Sequence, residues 1–371
     1  MGVSLRATIA LVVVILLLIA SNVYFATREA TIVTSTETIT TTLTNIITSH
    51  LVKTITTTTT IPKPKYPMVI VDALNRSVTI RELPVRVVSC APSITEIIAV
   101  LNLTNTLVGI DEYSDYPKCI LELKAKNLVT VVGGVTTLSV ERIAMLNPDI
   151  VFVDANLQRE FIPKLEELNI TVVAISANTV EEVMNNIILI GNVMNRSSTA
   201  YGIVDVMRAR INNIQQLLSA VRVKMKVLTI LWLEPIWTTG NNTFMNDIIR
   251  LAEGYNIFVD AKGWITVSPE TILARDPDVI IVGATMMGLK PEDVKEKIMS
   301  IPGLRDVKAV REDRVYILYG QAENIFERPG PRVVEAIELL AKILYPEMFN
   351  VSIPNVIGDE YQDYIEPLST W

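Results

Sequence analysis

The chain has 371 residues, half of them apolar, with a net charge of −7 and a pI near 5.1. It has no basic run, which disfavours nucleic acid as a partner. Its single histidine, His50, precedes the globular part, so Ser-His-Asp or Cys-His catalysis and histidine-based metal sites are removed from that part.

Residues 7–27 carry no charge and hold the apolar core ALVVVILLLIA between Arg6 and Arg28. Such a run is long enough to span a bilayer, and Arg6 with the α-amino group favours an N-inside orientation. A cleaved signal peptide is the rival reading. The run exceeds a usual signal core, so 1–27 is expected to be an uncleaved membrane anchor with the rest of the chain extracellular. No cysteine follows it to accept a lipid. Residues 28–65 are threonine-rich and end in Pro-Lys-Pro-Lys, which reads as a stalk. Polarity and the absence of alternation argue against paired strands there.

An entry hairpin is expected at 69–71 and 78–80, a buried strand at 85–89, a helix from Pro92, and a strand at 106–110. The polar aromatic loop DEYSDYP (111–117) follows. Segment 197–223 then reads as one long helix. Ile203, Met207, Ile211, Ile214, Leu218 and Val221 form a single apolar stripe at helical spacing, with Arg208, Arg210, Asn213 and Gln215 off it. One pattern occurs on both sides of this helix, as LSVERIAMLNPDIVFV (138–153) and VSPETILARDPDVIIV (267–282). Ser139/Ser268, Glu141/Glu270, Ile143/Ile272, Pro148/Pro277 and Asp149/Asp278 match without a gap. Each copy predicts a capped short helix, a Pro-Asp turn and a buried strand. The expected fold is α/β, with two similar lobes of mostly parallel sheets (66–196 and 224–349) joined by the long helix. An acidic tail, 350–371, has no assigned role.

In open α/β sheets ligands sit beyond the carboxyl ends of the strands. Here those ends carry Tyr113, Tyr116, Trp232, Trp237, Trp264, Phe326 and Arg328, which are predicted to line a cleft between the lobes. Aromatic faces around a few polar groups suit a large, partly apolar small molecule. Two other classes stay open. An extracellular hydrolase would need a carboxylate pair such as Asp111 and Glu112. A surface adhesion glycoprotein is permitted by the stalk and by the sequons at Asn75, Asn102, Asn169, Asn195, Asn241 and Asn350. Cys90 and Cys119 flank one strand-loop unit, which leaves a disulfide and two separate thiols both open.

The segments VDALNRSVTI, RVVSCAPSITEIIAVLN, GIDEYSDYP, LSVERIAMLNPDIVFV, WITVSPETILARDPDVIIV and ERPGPRVVEAIELLAKILYP resemble a known family. It is that of the substrate-binding proteins of ABC importers for ferric siderophores, haem and cobalamin, and the likeness runs over 68–349. The resemblance implies two lobes bridged by one long helix with little hinge motion, and a ligand held between them. It also implies a monomer with no catalysis and no resident cofactor or metal. Docking on a permease would use an acidic residue from each lobe, meeting arginines. Glu96, in PSITE, matches the N-lobe docking position. Arg250 stands at the C-lobe counterpart in MNDIIRLAEGYNIF, so Glu253 is taken as its substitute. GIDEYSDYP is close to the loop of the family's B12-binding members, and Trp237 and Trp264 match aromatic positions of that pocket. By this likeness Tyr113, Trp237 and Trp264 would pack on a corrin ring, and Arg328 would meet a ligand carboxylate, phosphate or amide. The expected function is capture of a cobalamin-type metal chelate and its delivery to an ABC importer, with a ferric siderophore or haem as the alternative cargo.

Overall fold

The computed structural model describes strand backbone at 36–44 and 54–62, and residues 65–368 throughout. The chain divides into two units, Met1–Lys63 and Pro64–Trp371. In the first, Thr36–Thr44 and Thr54–Pro62 pair antiparallel, with Thr40 opposite Thr58. The tract expected to be an unpaired stalk therefore contains strands. Threonine is β-branched, and its restricted χ1 favours extended backbone even where polarity does not alternate. The expected anchor and His50 lie outside the described residues. Among the described residues no helix is long and apolar enough to cross a membrane.

The second unit contains two five-stranded parallel sheets. The N-lobe sheet runs, edge to edge, Val172–Ile175, Ile150–Asp154, Val87–Ser89, Leu107–Ile110 and Thr130–Val131. The C-lobe sheet runs Tyr255–Asn256, Lys226–Ile230, Val279–Gly283, Val315–Leu318 and Val356–Ile357. Parallel neighbours need helical crossovers, which bury both faces, so the inner strands are continuous Val/Ile runs. Ile150, Val151, Phe152 and Val153 are fully buried, as are Val279, Ile280 and Val282.

The repeated motif has a structural reason. Ser139 and Ser268 each cap a helix, accepting from the amides of Arg142 (3.2 Å) and Thr271 (3.3 Å). Past the turn, Asp149 Oδ2 accepts from the amides of Val85 and Arg86, both at 2.8 Å. Asp278 Oδ2 does the same for Lys226 at 2.8 Å. In each lobe the Pro-Asp turn thus satisfies the amides at the start of the neighbouring strand, which fixes the register of strand and helix together.

The connecting helix spans Ser197–Leu217, about 32 Å at 1.5 Å per residue, and a 3₁₀ turn at Leu218–Ala220 ends it short of the expected 223. Ile203, Met207, Ile211, Ile214 and Leu218 are buried in the large core, as the stripe predicts. Each such side chain contributes about 1.5–3 kcal/mol by burial. The closing helix Val333–Leu344 packs on the connecting helix and shares that core. The acidic tail forms part of the fold: Val356–Ile357 is the edge strand of the C-lobe sheet, and Tyr361 is fully buried.

Cys90 is buried and Cys119 exposed, and both are free thiols. The disulfide left open by the sequence does not form. Cys90 faces into the core with Val88 and Val132, whereas Cys119 lies on the outer surface of the helix Lys118–Ala125. Five of the six sequon asparagines, Asn75, Asn102, Asn169, Asn195 and Asn350, have positive φ. Asparagine tolerates this left-handed backbone, so turns and helix ends account for these residues without glycans.

Candidate functional site

Three of the chain's four tryptophans meet on one face of a small C-lobe sheet. Strands Trp232–Leu233, Ile236–Thr239 and Trp264–Val267 are antiparallel, with Trp232 opposite Trp237, Trp237 opposite Thr266, and Trp264 opposite Thr239. Opposed residues share a face and side chains alternate along each strand. Trp232, Trp237 and Trp264 therefore stand together, while Leu233, Ile236, Ile265 and Val267 pack into the core on the other side. The indoles are 40, 48 and 46 % exposed. Trp264 is steadied by the edge of Phe244 at 6.1 Å, and Trp232 Nε1 donates to the Glu234 carbonyl at 3.0 Å. Half-open indoles held on a sheet present π-faces against which a flat apolar group can stack.

The N-lobe contributes loop 111–117. Asp111 is fully buried and its Oδ1 accepts from the Tyr113 amide at 2.8 Å. Its other oxygen takes the Ser114 hydroxyl, and a chain of hydroxyls continues through Thr95 (2.7 Å) to Ser89 (2.7 Å). Burial pushes the Asp111 carboxyl above its ordinary range, and the hydrogen bonds from Ser114 and Tyr113 oppose that. This network sets the loop that presents Tyr113, whose side chain is exposed. Glu112 is exposed while Asp111 is buried, so the two do not form the carboxylate pair a hydrolase would require.

The lobes are joined beside this loop. Arg332, 1 % exposed, donates from Nε (2.9 Å) and Nη2 (2.6 Å) to Glu96, also 1 % exposed, in the N-lobe helix Pro92–Val100. Its guanidinium lies 3.7 Å from the Tyr116 ring centroid, and Nη1 donates to Tyr361 Oη at 3.4 Å. Burial works against its charge, but the Glu96 carboxylate more than offsets this and holds the guanidinium firmly protonated. Arg328 donates to Asp115 at 2.6 Å, to Glu96 at 3.4 Å and to the Tyr113 carbonyl at 3.3 Å. Gln321 reaches the other Asp115 oxygen at 3.1 Å.

Several expected roles change accordingly. Phe326 is 2 % exposed and belongs to the core, because it lies on the inward face of the helix Gly320–Glu327. Arg328 is tied to the N-lobe instead of standing free. Tyr116 stacks under Arg332. Glu96 is not an exposed docking carboxylate, since it is the buried partner of Arg332. Glu253 ends its helix at positive φ and pairs with Lys224 at 2.7 Å. Asp247 pairs with Arg250 and caps the N-lobe residue Val180 (2.9 Å), so that segment serves the lobe interface. Asp115, Gln321, Arg332 and Tyr361 were missed by sequence reasoning. Asp115 and Arg332 lie inside the recognisable segments GIDEYSDYP and ERPGPR, but nothing in the chain alone pairs them with partners more than 200 residues away.

Residues 87–322 match the periplasmic binding protein family. The chain is 30 % identical over 291 residues to an uncharacterized ABC transporter substrate-binding lipoprotein of Bacillus subtilis, spanning 76 % of this chain and 87 % of that one. It is 27 % identical over 262 residues to the vitamin B12-binding protein of Vibrio cholerae, spanning 70 % and 88 % respectively. The structure is similar to that of a possible iron-binding (periplasmic solute-binding) protein of Staphylococcus epidermidis. That similarity has a TM-score of 0.61 and 27 % identity, and it covers 71 % of this chain and all of the other.

Proposed function

The chain belongs to the periplasmic binding protein family, and from that premise we propose that it captures a cobalamin-type metal chelate between its lobes and delivers it to an ABC importer. The family is one of solute-binding proteins, not an enzyme class. The observation that carries the ligand proposal is the tryptophan platform. Trp232, Trp237 and Trp264 offer a row of π-faces, and Tyr113 adds an exposed ring from the N-lobe. A corrin needs broad apolar contact and polar groups only at its edge. Arg328 is already paired with Asp115 and Glu96, so an anionic ferric chelate finds its cation occupied. This favours a neutral or cationic chelate over an anionic one. Haem ranks lower, because Tyr116 is engaged with Arg332 and Tyr113 alone remains for axial ligation.

Delivery requires a carboxylate from each lobe on the outer surface. Glu141 and Glu270 supply that pair. They occupy equivalent positions of the two repeats, and both are exposed. Each carboxyl is held below its ordinary range by hydrogen bonds at its own helix start, including that from the capping Ser139 or Ser268. They replace Glu96 and Glu253 as the docking pair in this reading. The N-terminal segment would keep the protein at the outer face of the membrane beside the permease.

The test is tryptophan fluorescence titrated with cobalamin, a ferric hydroxamate and haem, corrected for ligand absorption. Saturable quenching by cobalamin, weakened about tenfold in Trp264→Ala, is the expected result. Saturation by the ferric chelate alone would change the cargo. No saturable response to any of the three would overturn the reading.

A further inference from the structure

The connecting helix has a second face that the core does not cover. Thr199, Gly202, Val206, Ala209 and Asn213 recur at spacings of three and four, which places them on one side of the helix, and all five are exposed. They form one wall of a mostly apolar groove of about 540 Å³, and tail residues 366–368 form the other. The helical wall is about 21 Å long at 1.5 Å per residue. At Gly202 the space is open, since a Cβ there would meet no described atom within 4 Å. Val206, at the middle of the wall, is 56 % exposed. The tail is anchored along its whole approach to this groove. Tyr361 Oη donates to Glu335 Oε2 at 2.6 Å, and Lys342 Nζ donates to the Tyr364 carbonyl at 2.7 Å. The Leu368 amide donates to Oε1 of the buried Glu335 at 2.7 Å. Ile365 and Leu368 are themselves buried. Leu368 is thus a fixed point on the groove wall, and Ser369, Thr370 and Trp371 follow it, outside the described residues.

Three residues extend at most about 10 Å, roughly half the length of the groove, so Trp371 lies within reach of it. An indole suits the lining. Its body is apolar and its N–H needs one acceptor, which Thr199, Asn213 and Glu366 offer at the groove. So short a tether gives Trp371 an effective concentration on the order of millimolar there, well above that of a second copy in micromolar protein. We propose that the groove is the docking site of Trp371, so that segment 369–371 closes the tail over the connecting helix as a strap. Through its edge strand Val356–Ile357 the tail already belongs to the C-lobe sheet, and Glu335 and Lys342 bind it to the closing helix. The indole adds the connecting helix, the element that joins the two lobes. The inference is independent of the cargo.

The test uses the full chain labelled with 5-fluorotryptophan and read by fluorine NMR, with a soluble gadolinium chelate as the probe of exposure. The chain has four tryptophans, and the signal lost in Trp371→Phe is that of Trp371. It should broaden less than the signals of Trp232, Trp237 and Trp264, whose indoles are 40, 48 and 46 % exposed. In Trp371→Ala the Leu368 amide should exchange its hydrogen at least about tenfold faster, because local opening no longer has to unseat the indole. Val206→Glu puts a good helix former and a charge at the centre of the wall. It should expose Trp371 to the chelate and speed Leu368 exchange in the same way. Unchanged signals from the other three tryptophans report that each variant keeps its fold. A Trp371 signal that broadens as much as that of Trp237 in the unsubstituted chain, or that ignores Val206→Glu, overturns the proposal. Protection that is lost on dilution while sedimentation shows dimers dissociating would mean that a second copy supplies the indole, and it also overturns the proposal.

Discussion

Replacing Glu96 by Gln separates two physical roles for one residue. In the fold it is the buried counter-ion of Arg332, with both partners 1 % exposed and two hydrogen bonds of 2.6 and 2.9 Å between the lobes. The substitution preserves volume but leaves a buried guanidinium without its carboxylate. Breaking a buried pair on one side costs about 3–5 kcal/mol, because the remaining charge stays desolvated. Tyr361 and the Tyr116 ring compensate only as a neutral hydroxyl and a π-face. Unfolding roughly 300 residues carries an entropy near 0.6 kcal/mol/K, so the melting temperature should fall by about 5–8 °C. Thermal and urea unfolding followed by circular dichroism measure this. The double variant Glu96→Gln/Arg332→Met should recover part of the loss, since no charge is then left unpaired. A surface docking carboxylate would instead change stability by no more than about 0.5 kcal/mol. A loss for Glu96→Gln below about 1 kcal/mol would refute the buried-pair reasoning.

Charge reversal at Glu141 and Glu270 should leave chelate affinity unchanged and weaken coupling to the permease tenfold or more, read as importer ATPase stimulation. Burial and the neighbouring Glu323 carboxylate push Glu327 up to about 8 in the fold, whereas the unfolded side chain ionises near 4.5. Over that window the native state binds more protons, so stability should fall as pH rises from about 4.5 to 8 and level off above it. Melting temperatures of Glu327→Gln should lack this decline; an identical pH profile would show that Glu327 is not held neutral. A maleimide should label native protein once, at Cys119. Cys90, whose thiol is pushed up by burial and then by Asp111, should react only after denaturation.

What the chain determined by itself is local and periodic. The apolar stripe of the connecting helix, the capped helix and Pro-Asp turn of each repeat, and the Val/Ile runs of buried strands follow from nearest-neighbour geometry, and with them the two-lobe plan. Trp232, Trp237 and Trp264 were legible as residues at the ends of strands, beside loops. That they share one face depends on the pairing of Trp232 with Trp237 and of Thr239 with Trp264, a register set by the core on the sheet's other side. The charged groups were decided by tertiary structure alone. Glu96 and Arg332 are 236 residues apart, and Arg328 and Asp115 are 213. A glutamate at a helix start reads the same in sequence whether it faces water or an arginine. Its surroundings, and therefore its role, come from the lobe that folds against it.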